Sequence, residues 1–511
     1  MSHWKNHFSA TGKNYEKPYQ SLGEAINIVW FKRDLRTQDH EPLKIASDEG
    51  IPILLLYIFD EDVVSYHDTA LRHLQFVYQS LLEMNRSLEI TGHHVEICYG
   101  KSAVIFEALC DVYEVKKVFS YQESGPQHTW NVDKEVATVL KTKNVQWVEL
   151  EKDGIVRALP SRTGWEDHWF DHIGKPIIEN DFEWQGVPES RVGFELPADF
   201  LEKISAKNPQ MQPGGERAGW NYLYSFAKER GRNYQKHISK PEYSRKSSSR
   251  LSPYIAWGNL SVRQIFHYVR FHPNYDGNKR AYRAFLTRLQ WRSHFIQKFE
   301  VECTYETQCV NKGYELLEHE RNESFIKAWE QGKTGYPLVD ACMRALHQTG
   351  WINFRMRSML VSFFCHHLDQ DWRDGVYHIA RLFLDYEPGI HYTQFQMQAG
   401  TTGVNTVRIY NPVKQSKDHD PKGRFIRTWV PELRECPDEF IHEPWTMTPF
   451  EQEMYDFKLG EKYPEPLVNL EESGKHARSK IWGHRKNKEV QDEKKRILAV
   501  HVKPGKRNGA S

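Results

Sequence analysis

Hydroxyl groups and an arginine are concentrated in one segment, SSSRLSPYIAWGNLS (247–261), which includes the start of a predicted helix. Free N–H groups at a helix start, together with serine hydroxyls, are suited to binding an anionic phosphate. The same side chains could instead do no more than cap the helix. For this segment alone helix capping is the simpler interpretation, so a phosphate site depends on what the rest of the chain contains.

Three further segments combine aromatic rings with charged or imidazole side chains. LQWRSHF (289–295) and TGWINFRMRS (349–358) each place Trp close to Arg on predicted helices, and DYEPGIHYTQFQMQAGTTG (385–403) mixes carboxylates, His and Gly. The whole chain has 16 Trp, 25 Tyr and 26 Phe, or 13% aromatic residues. This content favours large aromatic cores, and the alternative is a protein that stacks planar ligands or passes electrons between rings.

Several common kinds of active site lack their sequence motifs in this chain. There is no P-loop, no GxSxG and no HExxH segment, so phosphate-loop, serine-hydrolase and zinc-protease functions are unsupported. The seven cysteines form no CxxC pair, and the adjacent His366 and His367 cannot share one face of their helix. We therefore predict no metal site and no disulfides.

The composition is typical of a water-soluble protein. Mean hydropathy is −0.71, and no segment approaches the roughly 18 unbroken apolar residues of a membrane span. The first twenty residues lack the apolar centre of a signal peptide, so we expect a cytoplasmic location. The net charge of +1 hides a basic end, because residues 475–511 contain twelve Lys or Arg and three Asp or Glu. Such a tail could attract phosphate backbones or be only a solvated end.

The apolar pattern of the first 150 residues indicates an α/β domain. Residues 1–23 are polar and aperiodic and form an N-terminal arm, and the apolar runs INIVWF (26–31) and PILLLYIFD (52–60) follow as strands. Strands then alternate with helices through 24–150. This alternation predicts a doubly wound parallel α/β sheet.

The remainder of the chain has a different pattern. Pro and Gly at irregular spacing predict an interdomain linker over 151–215, and helical apolar periods predict an all-α domain over 216–450. The last part, 451–511, is a basic C-terminal extension. The fold class expected from the sequence is therefore α/β plus all-α.

In this order and spacing, the segments resemble one family, the photolyases and cryptochromes, over about 24–450. The match rests on the serine segment, TGW followed by FRMR, and these further motifs: WFKRDLRTQDHEPL, WEQGKTGYPLVDACMRAL, DWRDG, DYEPG, RIYNPVKQSKDHDPKGRFIRTWVPEL and HEPW. The resemblance implies an N-terminal α/β domain joined by a long linker to a helical domain that holds FAD.

The resemblance also implies which residues hold FAD. Ser248, Ser249, Leu251 and Ser252 are expected to hold the FAD pyrophosphate, with Arg250 between them and Tyr234 as an upstream contact. Arg355 and Asp385 are expected to pair across the flavin, with Asp385 or Glu387 approaching its ribityl or N3 side. An arginine near the flavin ring favours its anionic reduced form.

His391 corresponds to the residue that faces flavin N5 in this family, where photolyases usually carry Asn and plant cryptochromes Asp. A histidine there could be neutral or charged and so tune flavin protonation, or it could only pack locally. The tryptophan nearest the flavin in the usual electron-transfer chain corresponds to Phe395, while Trp372 keeps the middle position. Tyr392 is a candidate for an alternative route.

The lesion pocket also departs from the family pattern. Arg288 stands where common bacterial photolyases carry a carboxylate, and Phe354 and Ser358 replace the usual Asn and Met. Trp291 and Trp351 are expected to be stacking walls for a base flipped from the helix. The resemblance places Trp291 together with Arg292 beside the adenine and this pocket.

These inferences predict a light-driven DNA repair flavoprotein, which splits UV-induced pyrimidine dimers by electron transfer from excited reduced FAD. The alternative is a cryptochrome-type blue-light photoreceptor without repair activity. We expect UV-damaged DNA as the partner, no membrane contact and a monomer. A second, antenna chromophore could be a folate, a deazaflavin or another flavin, or be absent, and Glu123 is a candidate contact.

Overall fold

The computed structural model describes residues 23–187 and 192–501, so most of the N-terminal arm and the end of the basic extension lie outside the described residues. One parallel five-stranded sheet has the order β3-β2-β1-β4-β5. Its strands are β1 (Ala25–Phe31), β2 (Ile53–Asp60), β3 (Val95–Gly100), β4 (Glu114–Tyr121) and β5 (Gln146–Leu150). This topology confirms the predicted doubly wound α/β fold.

The central strand β1 is buried on both faces, as expected for a parallel sheet covered by helices. Successive side chains of a strand point to opposite faces, and here Ile28 and Trp30 enter one apolar core while Val29 and Phe31 enter another. The helices of this half are α1 (Glu41–Asp48), α2 (Glu61–Val64), α3 (Leu71–Leu88), α4 (Ser102–Val112) and α5 (Gln127–Thr142).

The connection after β5 carries α6 (Trp165–Gly174) and α7 (Ala198–Ser205). It packs closely against the α/β half, because Trp169 is fully buried and the backbone N–H of Ile53 donates to the carbonyl of Gln185 at 2.9 Å. The linker therefore contributes to the core beneath the sheet.

The second half is helical, as expected. Its helices are α8 (Glu216–Lys228), α9 (Tyr234–His237), α10 (Pro241–Ser247), α11 (Ser252–Ala256), α12 (Val262–Arg270), α13 (Lys279–Val301), α14 (Glu323–Gln331), α15 (Pro337–Thr349), α16 (Phe354–Ser362), α17 (Trp372–Leu382), α18 (Pro388–Ala399), α19 (Pro412–His419), α20 (Arg424–Trp429), α21 (Pro449–Met454), α22 (Leu470–His484) and α23 (Lys488–His501). The last two helices pack on the domain through buried Ile481, Val490 and Ile497.

The two halves meet where β1 ends. The guanidinium of Arg33 lies 4.3 Å from the ring of Trp257 and donates to the carbonyl of Tyr386 at 2.8 Å. Gly258 has φ +74°, and a Cβ built there would lie 2.3 Å from the carbonyl oxygen of Arg33. Only glycine allows this close approach of two backbones.

Candidate functional site

The serine segment forms a tight turn between α10 and α11. Arg250 adopts a left-handed conformation (φ +61°), and its guanidinium donates to Gln212 Oε1 at 2.7 and 3.0 Å. Arg230 donates to the carbonyls of Ser248 at 2.6 Å and Ser249 at 3.3 Å. These contacts fix the backbone of the turn.

Two cations lie beside this turn, Arg250, which is buried, and Arg245, which is half-buried. The guanidinium of Arg250 lies 4.3 Å from the ring of Trp351, and that of Arg245 lies 5.9 Å from the same ring. Burial, with the charge of Arg245, lowers the pKa of Arg250 to about 10. Within 23–187 and 192–501, neither arginine has a carboxylate at ion-pair distance. A buried and a half-buried arginine without carboxylate partners, next to serine hydroxyls, fit a phosphate or pyrophosphate group.

An ion pair joins α16 to the segment before α18. Arg357 donates to Asp385 at 2.7 and 3.0 Å and also to the carbonyl of Ile352 at 3.0 Å. The expected pairing of Asp385 with Arg355 is therefore wrong. Residues two apart on a helix point about 200° apart, and Arg355 instead reaches Gln415 at 3.4 Å. The second arginine of the FRMR motif was the signal for the correct partner.

Arg292 is held by two carboxylates. It donates to Asp153 at 2.8 Å and to Glu387 at 3.0 Å, and all three side chains are nearly buried. These ion pairs join α13 to the linker and to the start of α18. Glu387 is thus engaged by an arginine of α13, and Asp385 by one of α16.

His391 lies within a group of aromatic rings on α18 and the segment before it. Its Nε2 is 2.9 Å from the carbonyl of Val376, and its ring centroid is 5.3 Å from those of both Tyr386 and Tyr392. Burial lowers the pKa of His391 to about 4, so its side chain is neutral at pH 7. A neutral ring that donates from Nε2 leaves Nδ1 as an acceptor.

The rings at the expected electron-transfer positions are close together. Phe395 lies 6.5 Å from Trp372 and 5.9 Å from His391, between ring centroids. Tyr392 is fully buried on the same helix and its hydroxyl lies 3.2 Å from that of Tyr386. The sequence indicated Tyr392, but it carried no signal for Tyr386.

The residues expected in the lesion pocket are only partly brought together. The guanidinium of Arg288 lies 4.6 Å from the ring of Trp291, which is 49% exposed, and Phe354 is 50% exposed. Arg288 also lies beside the buried phenol of Tyr234. Burial raises the pKa of this phenol to about 12, and the positive charge of Arg288 opposes that rise. Trp351 is 6% exposed and covered by Arg250. It lies on the serine turn, so the geometry does not support it as a stacking wall.

Two family models match the chain. One, described as DNA photolyase, covers residues 27–163, and the other, the FAD binding domain of DNA photolyase, covers 285–483. The chain belongs to the photolyase and cryptochrome family. FAD is its cofactor, and the serine turn with Arg250 and Arg245, together with the Arg357–Asp385 pair, fits that group.

The relatives that are similar to this flavoprotein include proteins named photolyase and proteins named cryptochrome. A deoxyribodipyrimidine photo-lyase of Alkalihalophilus pseudofirmus is 29% identical, with 90% of this chain and 98% of the relative covered. A cryptochrome DASH of Synechocystis is 28% identical, with 89% and 97% covered. The crystal structure of a Synechocystis cryptochrome superposes with a TM-score of 0.81 at 24% identity, over 90% of this chain and all of the other.

A second solved structure has the same fold. An archaeal photolyase from Sulfolobus tokodaii, described with two FAD molecules and the implication of a novel light-harvesting cofactor, superposes with a TM-score of 0.75 at 24% identity, over 90% of this chain and 100% of that one. In the described part of this chain, a cavity opens at the carboxyl ends of β1 and β2 and is lined by, among others, Tyr57, Asp68, Glu123 and His128.

The described residues contain no helix long and apolar enough to span a bilayer. In the same residues no group of three or more His, Cys, Asp or Glu side chains is arranged to hold a metal ion.

Proposed function

We propose that this flavoprotein is a light-driven DNA repair enzyme that splits UV-induced pyrimidine dimers. The observation that carries the proposal is the exposed pair of Arg288 and Trp291 on α13, in a chain that binds FAD. A half-exposed indole with a cation over its face is suited to stack on an extruded base while the cation contacts phosphate. Arg288 lies next to Tyr234, which is an expected contact of FAD, and this supports a lesion site close to the cofactor.

The chain's own residues would act on a flipped lesion as follows. Trp291 and Phe354 offer exposed rings on which the bases stack, and Arg288 contacts phosphate or a lesion carbonyl. A cation at this position also stabilises negative charge that develops on the dimer. FAD, when bound and reduced, would supply the one-electron chemistry that splits the dimer.

Neutral His391 and the Arg357–Asp385 pair would set the electrostatics of the flavin site. A fixed arginine favours an anionic flavin, and a histidine with a pKa of about 4 does not add a second positive charge at neutral pH. UV-damaged DNA is the proposed partner.

A blue-light photoreceptor is the second candidate. It is favoured by Phe395 at the position of the usual proximal tryptophan and by relatives named cryptochrome. A second chromophore in the cavity at the ends of β1 and β2 would serve either function as an antenna.

The deciding experiment uses full-length protein with chemically reduced FAD. It is illuminated with DNA carrying cyclobutane or (6–4) lesions, in single and double strands, with a dark control. We expect light-dependent loss of one lesion type and preferential binding of damaged DNA. Absence of repair on every substrate, with equal affinity for damaged and intact DNA, would leave the photoreceptor as the better proposal.

A pair of charge reversals tests the assigned surface. Arg288→Glu is expected to weaken the preference for damaged over intact DNA. Arg283→Glu is the matched control, because Arg283 is exposed on the same helix α13 but points about 140° away. Both changes lower general affinity through charge, so only a selective effect of Arg288→Glu supports the proposal.

A further inference from the structure

A buried carboxylate and two tyrosines form a hydrogen-bonded chain next to His391. The hydroxyl of Tyr386 donates to Asp68 Oδ2 at 2.6 Å, and the hydroxyl of Tyr392 lies 3.2 Å from that of Tyr386. Since Tyr386 has a single hydroxyl proton, Tyr392 donates to Tyr386. Asp68 comes from the α/β half and the tyrosines from the helical half. The chain Tyr392–Tyr386–Asp68 therefore crosses the domain boundary.

A second tyrosine–carboxylate group continues from this chain toward the surface. The rings of Tyr392 and Tyr377 are 6.3 Å apart between centroids. Tyr377 and Tyr66 both donate to Glu306 Oε1, at 3.2 and 2.6 Å. Tyr66 and Tyr377 are partly exposed, and both lie against the ring of exposed His67. Tyr377 and Tyr66 are thus hydrogen-bonded directly to a carboxylate, and Tyr392 is connected to one through the hydroxyl of Tyr386.

This arrangement suits oxidation of tyrosine. Loss of an electron makes the O–H proton of a phenol strongly acidic, so its oxidation requires a hydrogen-bonded base, whereas an indole can keep its proton. Burial raises the pKa of Asp68 to about 6, which makes its carboxylate a stronger base than an exposed one. By contrast, Phe395 is hard to oxidise, so the position next to Trp372 carries no ring that readily passes an electron to the flavin.

We infer that Tyr392, Tyr377 and Tyr66 form an electron-transfer relay to the flavin that bypasses Phe395, with Asp68 and Glu306 as proton acceptors. The inference rests on the proposed position of His391 beside the flavin. Under blue light, Tyr392 gives one electron to oxidised, photo-excited FAD. Its proton passes to the oxygen of Tyr386 as the proton of Tyr386 passes to Asp68.

The radical then moves outward, and each electron transfer is accompanied by a proton transfer. Tyr377 gives an electron to the Tyr392 radical and its proton to Glu306, while Tyr392 regains its own proton from Tyr386 and Asp68. Tyr66 next reduces Tyr377, which takes back the proton held by Glu306 as Tyr66 gives its own to Glu306. An external thiol finally donates a hydrogen atom to the Tyr66 radical, and Glu306 releases its proton to water. The net change is one electron from thiol to flavin and one proton released.

The test is flash spectroscopy of full-length protein with oxidised FAD and no DNA. We expect a neutral tyrosyl radical in the transient absorption and paramagnetic resonance spectra, with lines that change when ring-deuterated tyrosine is incorporated. Tyr392→Phe should abolish this signal and slow flavin photoreduction. Glu306→Gln should retain the Tyr392 radical but shorten the lifetime of the charge-separated state, because outward transfer lacks a proton acceptor and the Tyr392 radical then recombines with the flavin.

The controls separate the relay from other effects. Tyr463→Phe removes a buried tyrosine that also donates to a carboxylate, Asp340 at 2.5 Å, but in another part of the helical domain, and should leave the signal unchanged. FAD content and absorption are measured for each variant. A tryptophanyl radical that is lost in Trp372→Phe and kept in Tyr392→Phe would overturn the inference. Failure of repair with chemically reduced FAD would instead count against the proposed function, because that assay needs no relay.

Discussion

Replacing Asp385 by Asn should weaken FAD binding through the arginine that Asp385 neutralises. The carboxylate is 4% exposed, while Arg357 keeps 24% of its side chain in contact with solvent. In the protein without FAD, water can therefore still solvate the guanidinium when its partner is lost. Bound FAD would remove this solvent, so the cost of an unpaired charge should appear chiefly in the binding free energy.

The size of the effect follows from this reasoning. Breaking a buried ion pair costs about 3–5 kcal/mol, and the partial exposure of Arg357 places it at the lower end. About 3 kcal/mol corresponds to a rise in the dissociation constant of FAD of roughly 100-fold. Arg355→Met is the matched control, because Arg355 lies on the same helix without a carboxylate partner in the described part of the chain, and should change the constant by less than about threefold.

The assay is titration of FAD into protein stripped of the cofactor, followed by flavin fluorescence. Asp385→Asn, Arg357→Met and the double variant complete a cycle with the wild type. If the pair acts as one unit, the double variant binds FAD no worse than Asp385→Asn. Fully additive losses, or unchanged affinity in Asp385→Asn, would refute the placement of this pair at the flavin.

Three other perturbations test separate parts of the structure. Phe395→Trp restores an oxidisable ring 6.5 Å from Trp372, so flash absorption should show faster photoreduction of FAD that depends on Trp372. Gly258→Ala places a Cβ 2.3 Å from the carbonyl of Arg33 at φ +74°, so we expect a loss of about 3 kcal/mol and a lower midpoint of thermal unfolding. Asp68 has a pKa raised by burial to about 6, so the folded protein loses stability as pH rises from about 4 to 6, by about 3 kcal/mol. Urea denaturation should show Asp68→Asn gaining that amount relative to wild type between pH 4 and pH 7, and a constant difference would exclude this cause.

The sequence predicted the sheet because each strand is a short apolar run between helices, a pattern that local residues determine. It also located the serine turn, since hydroxyls and Arg250 are consecutive. It misassigned the partner of Asp385, because FRMR offers two arginines and the choice depends on the rotation of α16. Trp351 was expected at the lesion pocket, and only the packing of Arg250 on its ring reveals that it is covered.

The tyrosine–carboxylate groups were beyond sequence reasoning for a physical reason. Asp68 and Tyr386 are 318 residues apart. Tyr386 stands in the DYEPG motif, but that motif gives no indication that Asp68 is its partner. Their chemistry is created by assembly of the two domains. Asp68 is a stronger base than an exposed carboxylate only because both domains exclude water from it, and the nearby charge of Glu306 adds to this shift. The strength of Asp68 as the first proton acceptor of the proposed relay therefore depends on the domain interface, and neither half of the chain supplies it alone.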